Sequence, residues 1–536
     1  MTSPKTLPMI AVLGIAALQG PEARASTDIL GQQRVPSCAT LPSQPASDAD
    51  HALARGQFAD AERLFERMEP SEEATAGRVR ALIGQARFGA ALALAGSATV
   101  EHPQSAALAD ALGAARLARG EPVEALAALR RSIALDPCRA RTHYDLSVYL
   151  NVSGMPAAAQ KELDVAYRLQ PMDGLIRRAW MPTQQHVSTP DSDIADLRAI
   201  ESRPTQTREK RAEIESVIKA LQADKRGDCE LVSAVQNAEI ALVPLFGQGK
   251  RMPPTGSAIE IVVNGKKRQL LVDTGASGLV LSFEAAKDLG LVPEAQATSS
   301  GVGDGGESSE FVAHLDSLKI GSLELHNCKV RVQARPHGLD VQGLFGPDTL
   351  KSLLLTFDFP HERLTTAPLP AIEANASLAS NRTIAESKTD RIVPPGMADW
   401  IPVFRESESL LVPVSLGGAP QKLFVLDTGA EIGMIATDVA TEITTVTAKP
   451  GDSLRGVSGV TRNVSATGPL PLSFAGYAGQ VDQLTVLDNL SEFAPQGAMR
   501  ASGYIGYDVL RHMSLAIDYR DSLVRVNGTV PQSSNR

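Results

Sequence analysis

The chain has 536 residues, 43% hydrophobic and 21% charged, with 52 Lys and Arg against 61 Asp and Glu for a formal net charge of −9. That length predicts about three to four domains, and the composition excludes both a disordered polyelectrolyte and a multi-span membrane protein. The negative balance argues against a nucleic-acid partner, and an aromatic content of 4% leaves little material for base-stacking platforms.

Residues 1–25 read as a signal peptide. Lys5 precedes the apolar run from Leu7 to Leu18, and Ala23-Arg24-Ala25 supplies a cleavage site. The run is about a dozen residues, against the roughly 20 of a spanning helix, so no integral membrane span is expected after cleavage. The expectation is an exported chain, periplasmic or secreted, whose N-terminal segment covers 26–49.

Over 50–180 the chain is rich in Ala, Leu and Arg, with apolar positions at helical spacing. Gly120 to Pro137 superimposes on Gly154 to Pro171 at an offset of 34 residues, and stepping back by that offset places Pro137 on Pro103 and Leu146 on Leu112. A copy around Gly56 to Pro70 is shorter. The pattern resembles the tetratricopeptide repeat, whose stacked helical hairpins leave a concave surface that commonly binds a peptide or protein. A protein partner on these helices is therefore an expectation, and packing against the rest of the chain is the alternative. Residues 181–228 read as a charged helical connector.

The texture changes after Cys229. Alternating β-branched residues in Ala258-Ile-Glu-Ile-Val-Val263 run into Asn264-Gly265, a hairpin turn. Two β-rich blocks, 229–370 and 398–530, flank a linker over 371–397 rich in Pro, Ala, Ser and Asn, and a short tail covers 531–536. The four cysteines, Cys38, Cys138, Cys229 and Cys328, have neither zinc-clip nor CxxC spacing, so neither a metal nor any other cofactor is implied. Three full pairings are possible. Cys38 with Cys138 and Cys229 with Cys328 keep each bridge within or beside one expected domain, with buried free thiols as the alternative.

Both β-rich blocks carry one pattern. Gln269-Leu-Leu-Val leads into Asp273-Thr274-Gly275-Ala276-Ser277, and Lys422-Leu-Phe-Val-Leu leads into Asp427-Thr428-Gly429-Ala430-Glu431. Each is followed by Gly-apolar-apolar-Gly, at Gly343 to Gly346 and at Gly503 to Gly506. A single Asp-Thr-Gly is weak, but two with matched flanks indicate an internal duplication.

In these motifs the chain resembles the retropepsin-like aspartic proteases, over roughly 255–370 and 400–530. The repeats and two lobes together resemble exported bacterial aspartyl proteases. The fold implied is multidomain: N-terminal all-α tetratricopeptide-like repeats, then two all-β lobes that each supply one Asp. Asp273 and Asp427 would share a proton and polarise a water for peptide-bond hydrolysis, one acting as general base and the other as general acid. The resemblance implies that Gly275 and Gly429 let backbone approach the carboxylates and that Thr274 and Thr428 interlock the lobes. Ser277 is expected to hydrogen-bond the nearby carboxylate, whereas Glu431 at the matching position adds a third carboxylate that would either raise the pair's pKa values or pair with a cation elsewhere. Glycine-rich stretches around Gly301, Val302 and Gly303, and around Gly456 and Val457, stand where the family places flaps over an extended peptide. The substrate class is a peptide or protein. The competing reading is a catalytically inactive peptide-binding scaffold with a protease-like fold.

Overall fold

The structure, a computed structural model, describes Cys38, residues 47–184 and 190–202, parts of 211–222, and most of 229–528 apart from 235, 248–252, 300–307, 334–340, 372–389, 407–408, 457–458, 463, 489 and 491–498. The expected signal peptide and the centre of the expected linker lie outside the described residues.

Residues 48–184 form nine helices: α1 Asp48–Ala54, α2 Phe58–Arg67, α3 Glu72–Gly84, α4 Phe88–Glu101, α5 Ala106–Ala118, α6 Pro122–Leu135, α7 Ala140–Val152, α8 Pro156–Leu169 and α9 Gly174–Gln184. Starts are set locally. The side chains of Ser47, Ser71 and Ser105 accept N–H groups of α1, α3 and α5, while α6 and α8 open on proline, which has no N–H to leave unpaired. Hairpins need a left-handed residue between their helices, and Gly56, Gly120 and Gly154 supply it at φ of 76°, 70° and 73°. Ala86 holds that position in the second hairpin at φ 57°. Small residues then let the helices approach: Ala61, Ala81, Ala91, Ala95, Ala115 and Ala125 are completely buried.

The inner helix faces pair with one another. Arg80 on α3 bonds Asp110 of α5 at 2.6 Å and Asp145 of α7 at 2.7 Å, and Arg139 bonds Glu73. Leu175 of α9 packs beside Leu53 and Ala52 of α1, so the first helix of the series meets the last. A disulfide joins Cys38 to Cys138 in the α6–α7 turn, with Cα atoms 5.7 Å apart. A further helix, α10, spans Pro190–Glu201, and Ile194 packs with Ile214 and Ile218. Among the described residues no helix is long and apolar enough to cross a membrane.

From residue 230 onward the chain is β-rich, and its two halves share a topology. Strand Lys266–Val272 runs parallel to Gly343–Phe345, which pairs antiparallel with Leu279–Ser282. In the second half Lys422–Leu426 runs parallel to Gly503–Ile505, which pairs antiparallel with Met434–Ala436. Asn264 and Gly265 turn the first hairpin with φ of 51° and 76°, as a two-residue turn with both central residues left-handed requires. Cys229 is bonded to Cys328, which is fully buried.

One sheet belongs to both halves. Strand Leu353–Asp358 pairs antiparallel with Met513–Asp518, Leu355 opposite Ile517 and Phe357 opposite Leu515, and all four side chains are fully buried. Strands Arg363–Pro368 and Ala238–Leu245 extend it on one side and Leu523–Gly528 on the other.

The helical hairpins dock on the second half. Lys422 Nζ contacts Glu121 Oε1 at 2.7 Å with both side chains buried, Arg119 reaches Glu442 at 2.5 Å, and the Arg500 guanidinium lies over the Phe88 ring. Asp390, within the expected linker, caps α8: its Oδ1 accepts the N–H groups of Ala157 and Ala158 at 2.9 and 3.1 Å.

Candidate active site

Each Asp-Thr-Gly stands where a buried apolar strand ends against the strand that carries the Gly-apolar-apolar-Gly signature. The N–H of Asp273 donates to Phe345 O and that of Asp427 to Ile505 O, both at 3.0 Å, so the two turns are pinned identically. Within each turn the first carboxylate oxygen accepts backbone N–H groups: Gly275 to Asp273 at 2.9 Å, Gly429 to Asp427 at 2.8 Å, and Ala430 to Asp427 at 3.0 Å.

The threonines join the halves. Thr274 Oγ1 donates to Leu426 O at 2.6 Å and accepts the Thr428 N–H at 3.0 Å; Thr428 Oγ1 donates to Val272 O at 2.8 Å and accepts the Thr274 N–H at 3.0 Å. Both residues are 1% exposed, so none of these four bonds competes with water.

This lock brings the carboxyls together across the two halves, where they hydrogen-bond to each other. A Cβ on Gly429 would stand 2.5 Å from both oxygens of Asp273, and a Cβ on Gly275 would stand 3.0 Å from both oxygens of Asp427. Only glycine fits at either place. Burial, and then the charge of Asp273, push Asp427 up to about 8. Burial also raises Asp273, against the opposing effect of hydrogen bonds from Asp427, Gly275 and Ala276 and of the Arg331 charge. With Asp427 pushed to about 8, the pair retains a proton at neutral pH.

Ser277 does not turn to this pair. Its hydroxyl donates to Asp348 Oδ2 at 2.8 Å, and Gly278 N–H donates to Asp348 Oδ1 at 2.7 Å, because Asp348 opens the short helix that follows Gly346 and faces the departing turn. The expected bond to the catalytic carboxylate is thus replaced by a structural one. Glu431 is exposed, and its carbonyl accepts the Asp508 N–H at 3.1 Å.

Of the expected flaps, Gly301, Val302, Gly303 and Val457 lie outside the described residues. Strands Ala295–Ser299 and Ser308–Ile320 pair antiparallel up to Ser299 opposite Ser308. Strands Ser453–Gly456 and Gly459–Arg462 pair antiparallel with Gly456 opposite Gly459.

Sequence reasoning missed Arg331 and Tyr504. Tyr504 is 5% exposed, and its strand position beside Val425 is that of Leu344 beside Leu271 in the first half. Burial, followed by the charges of Asp427 and Asp273, raises its phenol well above the usual value. Comparing Gly343-Leu-Phe-Gly346 with Gly503-Tyr-Ile-Gly506 position by position exposes that asymmetry. Among the described residues no group of three or more His, Cys, Asp or Glu is arranged to hold a metal.

No curated protein matches the chain. Among solved structures, an aspartic proteinase from Irpex lacteus is similar over 56% of this chain and 99% of its own, with 14% identity and a TM-score of 0.33. Residues 259–349, which contain Asp273, its turn and the Gly343–Gly346 signature, match the family model described as aspartyl protease.

Proposed function

We propose that the protein is an exported aspartic endopeptidase. The observation that carries this reading is the hydrogen-bonded pair of Asp273 and Asp427, each from a separate Asp-Thr-Gly turn and each approached by the other turn's glycine. The aspartyl protease match around Asp273 supports it.

A water between the carboxyls gives a proton to the ionised member as it attacks the peptide carbonyl carbon, while the protonated member donates to the carbonyl oxygen. The resulting tetrahedral intermediate expels the amine as a proton is delivered to its nitrogen. One proton on the pair is the required starting state, and the raised pKa of Asp427 maintains it at neutral pH. Two disulfides and the N-terminal apolar run support an oxidising, extracytoplasmic compartment. The helical hairpins resemble tetratricopeptide repeats in period, and their inner faces are engaged in ion pairs with one another.

The test is hydrolysis of an unfolded polypeptide by purified protein, with Asp273→Asn and Asp427→Asn as controls that keep the fold. Each substitution should reduce turnover at least about 10³-fold. If either variant retains most of the activity, the paired-carboxyl mechanism is wrong. Tight peptide binding without cleavage between pH 3 and 8 would instead favour an inactive binding scaffold.

A further inference from the structure

A pocket of about 190 Å³ opens beside the first catalytic turn, and its walls are cationic. Ser277 and Gly278, which follow the turn directly, form one side; Lys329, Arg331, Lys351 and Thr349 form much of the rest. The three cations are half-buried, so charge placed among them is poorly screened by water. Asp348 also lines the pocket, but its two oxygens already accept from Ser277 and Gly278. Arg331 Nη2 donates to Ser277 O at 3.0 Å, and Glu310 forms a longer ion pair with its guanidinium at 3.8 Å. The Thr349 hydroxyl is buried without a hydrogen-bond partner, a donor left to a guest.

The pocket lies close to the carboxyl pair along the chain: Ser277 stands four residues from Asp273, at most about 14 Å. An extended peptide rises roughly 3.3 Å per residue, so about four of its residues span a comparable distance.

We propose that this pocket is a substrate subsite for a carboxylate, receiving an acidic side chain of the extended peptide. The inference rests on the endopeptidase reading for its geometry and goes beyond it by assigning a substrate class.

The experiment scans Glu against Gln through the four positions on each side of the cleaved bond of an otherwise neutral, terminally blocked peptide. Hydrolysis by the full chain is measured alongside calorimetric binding to the full-length Asp427→Asn variant. One position should favour Glu about tenfold in kcat/KM and in affinity, and the preference should shrink towards one in Lys351→Gln, in Thr349→Val and at high salt. Equal behaviour of Glu and Gln at every position in both measurements overturns the proposal, as does a preference that survives Lys351→Gln and Arg331→Gln together. A gain from an unblocked C-terminus without any gain from an internal Glu overturns the side-chain assignment. If no peptide is hydrolysed, the endopeptidase reading fails, while the affinity ratio still decides the pocket.

Discussion

The carbonyl of Gly120 accepts the backbone N–H of Leu423 at 2.9 Å, and four residues after Leu423 the same strand delivers Asp427. The neighbouring strand is tied at the same place: Ser502 N donates to Leu423 O at 2.7 Å, and Ser502 Oγ to Arg119 O at 3.3 Å. The α5–α6 turn thus sets the start of both strands that hold the second Asp-Thr-Gly turn. The helices are joined to the site through backbone as well as through charge.

Gly120→Ala should test that joint. A Cβ there would lie 2.3 Å from Arg500 O, and φ is 70°, so both sterics and backbone resist the change. The expected cost is roughly 2–4 kcal/mol of unfolding free energy. Urea titration measures it, and a loss below about 0.5 kcal/mol would show that the turn does not constrain the strands.

Thr428→Val removes the donor to Val272 O and leaves the buried Thr274 N–H unpaired, for a predicted loss of about 2–4 kcal/mol. Thr428→Ser keeps the hydroxyl and should recover most of it. In a double-mutant cycle with Thr274→Val the two losses should fall short of additivity, since opening either pair of bonds loosens the same junction between the halves.

Protonation of the pair should be visible in stability as well as in turnover. Asp427 has a folded pKa of about 8, raised above its unfolded value, so its contribution to stability is full below about pH 4 and is lost as pH rises towards 8. Asp427→Asn should remove that loss and gain at least about 1 kcal/mol on wild type at pH 8.5, read by thermal or urea unfolding. Turnover should fall above about pH 8 for the same reason. A variant no more stable than wild type at pH 8.5 would contradict the raised value.

Tyr504 should stay neutral far into alkali, held by burial beside two carboxyls. The 295 nm absorbance of wild type and Tyr504→Phe should coincide in shape up to about pH 11 while the fold persists, and differ by one phenolate after denaturation. A difference at pH 10 in the folded state would show that water reaches the ring.

The elements most legible in the sequence were those that repeat. Gly56, Gly120 and Gly154 mark hairpin turns, and the duplicated Asp-Thr-Gly marks the two turns that bring the carboxyls together, because each needs a particular backbone geometry that only a few residues allow. Ala86 escaped notice since a strained alanine leaves no compositional trace. The shared sheet was also hidden: alternation identifies Leu353–Asp358 as a strand, but its partner Met513–Asp518 is about 160 residues away and is chosen by packing. Glu121 and Lys422 look like ordinary surface charges until the docking buries them together. Ser277 was misassigned because two carboxylates, Asp273 and Asp348, compete for its hydroxyl, and spacing along the chain names only the nearer one.

The sheet built from Leu353–Asp358 and Met513–Asp518 also governs timing. A chain made from its N-terminus presents Asp273 154 residues before Asp427, and Met513–Asp518 follows later still. Pairing of the two carboxyls therefore waits until both halves have been made. Termination before Met513 would leave both aspartates in the chain but remove the strand with which Leu353–Asp358 pairs.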